Sequence, residues 1–122
     1  LRGRVVWKPY LCELDLEKQW RSSWALLSTS WMEGFDYPLL EAQARGLPTI
    51  ASCIPVHEEL HRDASLLVDV HDGGINLSIS LQRLVRDPSL WQHLSQAGLR
   101  NAQQFTLQRQ CRSLQQLLLS LC

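Results

Sequence analysis

The sequence has no surplus of either charge, no long apolar run and no paired cysteines. Lysine plus arginine and aspartate plus glutamate both number 12, so there is neither the basic field that nucleic acid needs nor an acidic tail. No stretch is apolar for the length of a membrane-spanning helix, and no signal peptide pattern is present. The four cysteines, Cys12, Cys53, Cys111 and Cys122, are scattered without Cys-x-x-Cys or zinc spacing. They read as free thiols of a reducing compartment, which points to the cytoplasm. His57 and His61 lie four apart, but no third ligand follows at zinc spacing, so no metal site is expected and both read as solvated helix histidines. A chain of 122 residues is one small domain with room for a sizeable core.

What is present is a dense central stretch from Ser28 to Val56. Just before it, Trp24-Ala-Leu-Leu is a short apolar run that suits a strand buried on both faces. Ser28 to Tyr37 mixes small, polar and glycine residues, as a loop does. Pro38 suits the first turn of a helix, where its missing N–H costs nothing. Leu39 to Arg45 are good helix formers, and Gly46 is placed to end that helix in the left-handed conformation. Leu47 to Ser52 reads as the next strand, completing a β–loop–α–β unit.

The loop of such a unit lies at the carboxyl end of a strand and the amino end of a helix. There, free amides and the helix dipole favour an anion such as phosphate. Glu33 precedes the turn and Glu41 lies one turn into the helix. Carboxylates do not hold phosphate, but they accept hydrogen bonds from sugar or ribose hydroxyls. The spacing predicts that both face one pocket mouth. Spacing alone favours ordinary roles first: a loop residue near the dipole and a solvated helix residue.

The full string is more specific. Glu33-Gly34-Phe35-Asp36-Tyr37-Pro38-Leu39-Leu40-Glu41-Ala42-Gln43-Ala44-Arg45-Gly46-Leu47-Pro48-Thr49-Ile50-Ala51-Ser52 resembles the signature EGFGxPxLEAMAxGxPVIAS of retaining GT-B glycosyltransferases of the family 4 type. The seven residues between the two glutamates are kept. The likeness continues through Ile54 to Glu59, Ala64 to Asp69, Asp87-Pro88 and Ala97-Gly98.

The resemblance implies an α/β fold: a Rossmann-like parallel sheet with flanking helices, part of the C-terminal domain of a GT-B enzyme. Residues 1–122 would form this partial nucleotide-sugar-binding domain, with the N-terminal acceptor domain absent. The implied reaction moves a sugar from a nucleotide-diphosphate donor to an acceptor with retention, using no cofactor and no essential metal. Glu33 would be the catalytic residue, holding the donor sugar's hydroxyls near the reacting carbon. Glu41 would accept hydrogen bonds from the ribose. Gly34, Phe35, Asp36, Tyr37 and Leu40 complete the donor-binding set, with the amides of Gly34 to Tyr37 meeting phosphate or sugar. Asp36 stands where the family often has glycine, so its charge should point away from the diphosphate or cap the helix. The chain is expected to be a fragment, a truncated reading frame or a remnant gene, inactive alone for want of the acceptor domain and upstream basic residues. The alternative is a non-catalytic Rossmann-like module that binds a nucleotide sugar or serves interaction.

The flanks fill in the frame. Arg4-Val-Val-Trp-Lys reads as a first strand, ended by Pro9 and Tyr10, with Tyr10 either meeting the donor base or capping the core. Strands are thus expected near residues 4–8, 25–29, 48–52 and 66–70, in one parallel sheet. Glu13 to Ser23 reads as a helix with acids in its first turn. Trp31 adjoins Glu33 and is a candidate wall of the site. Asp72, Asp87 and Thr106 each precede a helical pattern. The last of these aligns Leu107, Cys111, Leu114, Leu118 and Leu121 in a stripe, offering self-association or at most a peripheral membrane contact.

Overall fold

The structure, a computed structural model, describes residues 5–121. Its elements follow the order α1 (Glu13–Ser22), β1 (Leu26–Ser28), α2 (Tyr37–Ala44), β2 (Thr49–Ser52), α3 (Pro55–His61), β3 (Ser65–Val68), α4 (Ile75–Arg86), α5 (Pro88–Ala102), a 3-10 turn (Gln103–Phe105) and α6 (Leu107–Ser120). The three strands form one parallel sheet in the order β1-β2-β3. Leu26 pairs with Thr49 and Thr49 with Ser65, so these three side chains share one face. Leu27, Ile50 and Leu66 share the other.

Each face is covered by its own cluster. Ile50 and Val68 pack with Leu84 of α4 and Leu94 of α5, and Leu66, Leu81 and Trp91 close around them. On the opposite face, Leu26 meets Trp20 of α1, Ala42 of α2 and Leu47. Burying such side chains contributes about 1.5–3 kcal/mol each, the main drive for docking helices on strands this short. The sheet is therefore α/β with helices on both faces.

Local signals set the ends of these elements. Gly46 takes φ 72°, its amide bonds the Gln43 carbonyl at 2.9 Å, and the Leu47 amide bonds the Ala42 carbonyl at 3.0 Å. Those paired bonds are the Schellman end expected of a glycine there. Asp87 accepts from the Ser89 and Leu90 amides, and Thr106 from the Arg109 amide. The Asp72 carboxylate gathers the Gly74, Ile75 and Asn76 amides at 2.7–3.1 Å, starting α4 three residues downstream.

The expected first strand is not formed. Arg4 lies outside the described residues, and Val5 to Lys8 join no sheet. Val5 is 86% exposed, and among the described residues β1 pairs with β2 alone. β-branched side chains favour a strand only where a pleated neighbour half-buries them, and this segment has none. Tyr10 is exposed as well, so it does not cap the core. The opposite correction applies to His57 and His61, which are not solvated: both are buried, at 0% and 1% exposure.

No described residue of α6 is buried, and its leucines are exposed from Leu107 to Leu121. No helix among the described residues is long and apolar enough to cross a membrane. The described cysteines Cys12, Cys53 and Cys111 are free and exposed, while Cys122 lies outside the described residues.

α2 and α5 pack closely at Gly98, where an added Cβ would lie 3.1 Å from Gln43 Cγ and 3.4 Å from Gln43 Cα. Gln43 is hydrogen-bonded at both ends and has no room to yield. Gly98→Ala is expected to destabilise the chain by about 1–3 kcal/mol in a urea titration. Gly34→Ala, whose added Cβ meets nothing within 4 Å, should stay within about 0.5 kcal/mol of the parent.

Candidate functional site

Parallel strands deliver their following loops to one edge of the sheet. The loop after β1 carries Trp31, Met32, Glu33 and Gly34, and the segment after β2 carries Ile54, Pro55 and Val56. Together with Glu59 of α3 these residues line a hollow of about 470 Å³. Trp31 also meets His71, from the loop after β3, edge to face at 4.6 Å, so all three post-strand loops gather there. Glu33 is exposed and accepts a hydrogen bond from Ser30 Oγ at 2.6 Å.

The other expected site residues divide between opening and frame. Gly34 leaves its surroundings clear, and Tyr37 is exposed. Leu40 is half-buried. Phe35 instead turns towards Tyr37, at 4.9 Å between ring centres, and Phe105, at 5.5 Å, so its ring ties the loop to the turn before α6. Glu41 is exposed on the second turn of α2 but does not line the hollow of Glu33. It borders a separate one of about 480 Å³ with Glu13, Leu14, Leu16, Glu17, Trp20 and Arg45. α1 makes the second hollow by docking beside α2. The Arg45 guanidinium lies 5.3 Å over the Trp20 ring and pairs with Glu17 at 3.1 Å. The two glutamates thus flank the amino half of α2 without sharing a pocket mouth.

Asp36 departs most from a surface role. It adopts φ 62°, a left-handed conformation that aspartate tolerates better than most residues, and is 6% exposed. Its carboxylate caps α2 by accepting from the Leu39 amide at 3.2 Å, and it also takes the Ser28 hydroxyl. His57 Nε2 stands 3.0 Å away on the other side. The charge therefore points into the fold and caps the helix, one of the two placements expected of it.

Several polar residues beneath the loop had no motif to announce them. His57 Nδ1 lies 2.8 Å from the Ser52 carbonyl, and the Ser52 hydroxyl donates to the Ser30 carbonyl at 2.5 Å. Nearer α5, the Gln43 amide donates to Thr49 Oγ1 at 3.3 Å and Ser65 Oγ at 3.2 Å. Its oxygen accepts from Asn101 at 2.8 Å, with His61 Nδ1 at 3.2 Å. The available signal was compositional: Gln43 and Thr49 stand where the resembled signature has apolar residues, Met and Val, and they bond each other. Outside the loop, Cys53 Sγ donates to Glu58 at 3.4 Å, which raises its thiol pKa above the ordinary value. Among the described residues no group of three or more metal-binding side chains is assembled.

A parallel sheet covered on both faces, with its loops converging at the carboxyl edge, defines a Rossmann-like domain of a kind that binds ligands at that edge. The chain belongs to the family described as Glycosyl transferases group 1, whose model matches residues 1–87, a span holding all three strands and the Glu33 loop. It is a partial GT-B domain. It is similar to Sucrose-phosphate synthase 1 of Arabidopsis thaliana, 33% identical over 119 residues, covering 93% of this chain and 11% of that protein. It is likewise similar to Probable sucrose-phosphate synthase 1 of Oryza sativa subsp. japonica, 36% identical over 119 residues with the same coverage. Probable sucrose-phosphate synthase 4 of the same rice is 33% identical over 95 residues, covering 76% of this chain and 9% of that protein. The chain thus spans about a tenth of the length of these curated relatives.

The buried histidine of the Gln43 cluster has a measurable consequence. Burial lowers the His61 pKa from its ordinary 6.5, with positive charge at His57 acting in the same sense and the Phe35 backbone and Asp36 opposing. Between the lowered folded value and 6.5 the unfolded chain binds more protons, so stability rises with pH there. This contribution is complete above 6.5 and is lost as pH falls through the folded value. Denaturant midpoints followed from neutral to mildly acidic pH should fall for the parent, and His61→Gln should flatten that part of the profile.

Proposed function

We propose that this segment is the donor-binding part of a retaining glycosyltransferase that takes its sugar from a nucleotide-diphosphate donor. The carrying observation is the hollow at the carboxyl edge of the sheet, where Glu33 meets Trp31, Met32, Gly34 and the start of α3. Glu33 is there as an acceptor for sugar hydroxyls beside the reacting carbon. Glu41, on the far side of α2, accepts from the ribose as the nucleotide passes over the helix's amino end. The amides of Gly34 to Tyr37 lie between them for the phosphates, with Leu40 behind. Family membership supports this reading, and so does the name sucrose-phosphate synthase shared by the relatives.

The same hollow supports inactivity of the segment alone. Among the described residues its walls hold Glu33 and Glu59 but no lysine or arginine. A departing diphosphate develops negative charge that uncompensated carboxylates oppose, so turnover requires cations from elsewhere, together with an acceptor-binding half. In our reading the segment works with such a half in the cytoplasm.

The test is a steady-state comparison in a polypeptide that joins this segment to an acceptor-binding half, with the nucleotide-sugar concentration varied. Glu41→Ala is expected to weaken donor binding by about 1–3 kcal/mol, the effect of leaving a buried donor hydroxyl without its partner. Glu33→Ala should act mainly on kcat. Unchanged kinetics in both variants would reduce the two glutamates to surface residues.

A second reading, an interaction module, is favoured by α6 and its C-cap residue, which present Leu107, Leu114, Leu117 and, at the cap, Leu121 to solvent. A stripe of that kind on a small chain promotes association. Sedimentation of the 122-residue chain should show mass rising with concentration, and Leu114→Gln combined with Leu121→Gln should return it to monomer. A parent that stays monomeric at high concentration would remove this reading.

A further inference from the structure

We propose that Asp36 and His57 form a buried carboxylate–imidazolium clasp that positions the Glu33 loop. The assignment follows from where each proton has to be. The Ser52 carbonyl only accepts, so His57 Nδ1, 2.8 Å away, must donate. The Ser52 hydroxyl gives its own proton to the Ser30 carbonyl and offers Nδ1 only a lone pair, at 3.3 Å. On the other side, Asp36 uses Oδ1 to accept from the Leu39 amide and Oδ2 to accept from the Ser28 hydroxyl. Both oxygens accept, and we assign the ionised form on that ground; the acid form would have to give an Oδ2 proton to His57 Nε2 and leave the ring neutral. His57 Nε2, 3.0 Å from Oδ2, then donates as well, and the ring carries a proton on each nitrogen. The other titratable ring facing it, that of His61, lies 6.1 Å away between centres, and burial favours its neutral form.

The clasp links four elements at the carboxyl edge. Ser28 ends β1, Asp36 caps α2, Ser52 ends β2 and His57 belongs to α3. The loop that carries Glu33 has its two ends, Ser28 and Asp36, joined through Asp36 Oδ2, the same oxygen that His57 Nε2 meets. Its middle is held through Ser30, whose carbonyl takes the Ser52 hydroxyl while its own hydroxyl holds Glu33. A buried ion pair adds little net stability, because desolvation offsets the attraction. Here it sets conformation: it holds a non-glycine residue at positive φ and closes the loop around it. His57 and Asp36 are positioning residues, acting on the sugar site through Glu33.

The proposal rests on the reading of Glu33 as the sugar-facing residue, but its readouts need no ligand. Nitrogen-detected NMR of the histidine rings, on the 122-residue chain in neutral buffer, is expected to show His57 with both nitrogens protonated. A neutral single tautomer at His57 would overturn it. Amide exchange provides the second readout. His57→Gln and Asp36→Asn should each speed exchange across residues 29–36 by about tenfold or more while leaving the β2 amides protected, and the double variant should be no looser than either single one. Asp36→Gly, which removes the positive-φ strain, should loosen the loop all the same. Unchanged loop exchange in the folded variants would overturn the clasp. If a variant does not fold, the ring spectrum of the parent decides. A clasp seen by both readouts without effect of Glu33→Ala on turnover would sink the donor-site reading and leave the clasp standing.

Discussion

The fold depends on one side-chain amide. Gln43 is completely buried in the last turn of α2, where the helix lies against the sheet. Its nitrogen reaches Thr49 and Ser65 on adjacent strands, and its oxygen is reached from α5 by Asn101. Asn101 also donates to the Leu60 carbonyl at the end of α3. An unpartnered amide in this place would cost about 1–3 kcal/mol per orphaned group, so the helix can neither rotate nor slide without heavy loss. That fixes the register of α2 against β2 and β3, and the register fixes where its first residue starts. Asp36 and the loop before it follow. Gly98 belongs to the same constraint, because any side chain there would press on Gln43.

Much of this frame was legible because its causes are local. The β–loop–α–β reading of Ser28 to Val56 holds, with Pro38 in the first turn and Gly46 just past the end of α2. Asp72, Asp87 and Thr106 start their helices through bonds to amides two to four residues away. The placement of Asp36 was legible as well, since a carboxylate preceding a proline-started helix has a nearby amide to accept from. Trp31 does wall the hollow beside Glu33.

What was not legible depends on partners distant in sequence. Val5 and Val6 have strand-forming side chains, yet a strand is made by its neighbour's backbone, and the described residues supply none. His57 and His61 look like solvated helix residues because imidazoles usually find water. Their partners, Asp36 and Gln43, stand 21 and 18 positions upstream. The separation of Glu33 from Glu41 escaped for a related reason. Their spacing constrains the loop and helix they sit on, but the docking of α1 through Arg45 and Glu17 decides which surface each one borders.

The Cys53–Glu58 contact has a consequence for sulfur chemistry. Cys53 is next in sequence to Ile54, a wall of the hollow, and its thiol is exposed. Peroxides and alkylating reagents attack the thiolate rather than the thiol. By accepting the thiol hydrogen, the Glu58 carboxylate disfavours that ionisation, so Cys53 is expected to react more slowly than an ordinary exposed cysteine. Sulfenic acid formation at Cys53 should be slowed accordingly. A charged neighbour on the first turn of α3 thus protects this one thiol, next in sequence to the walls of the hollow.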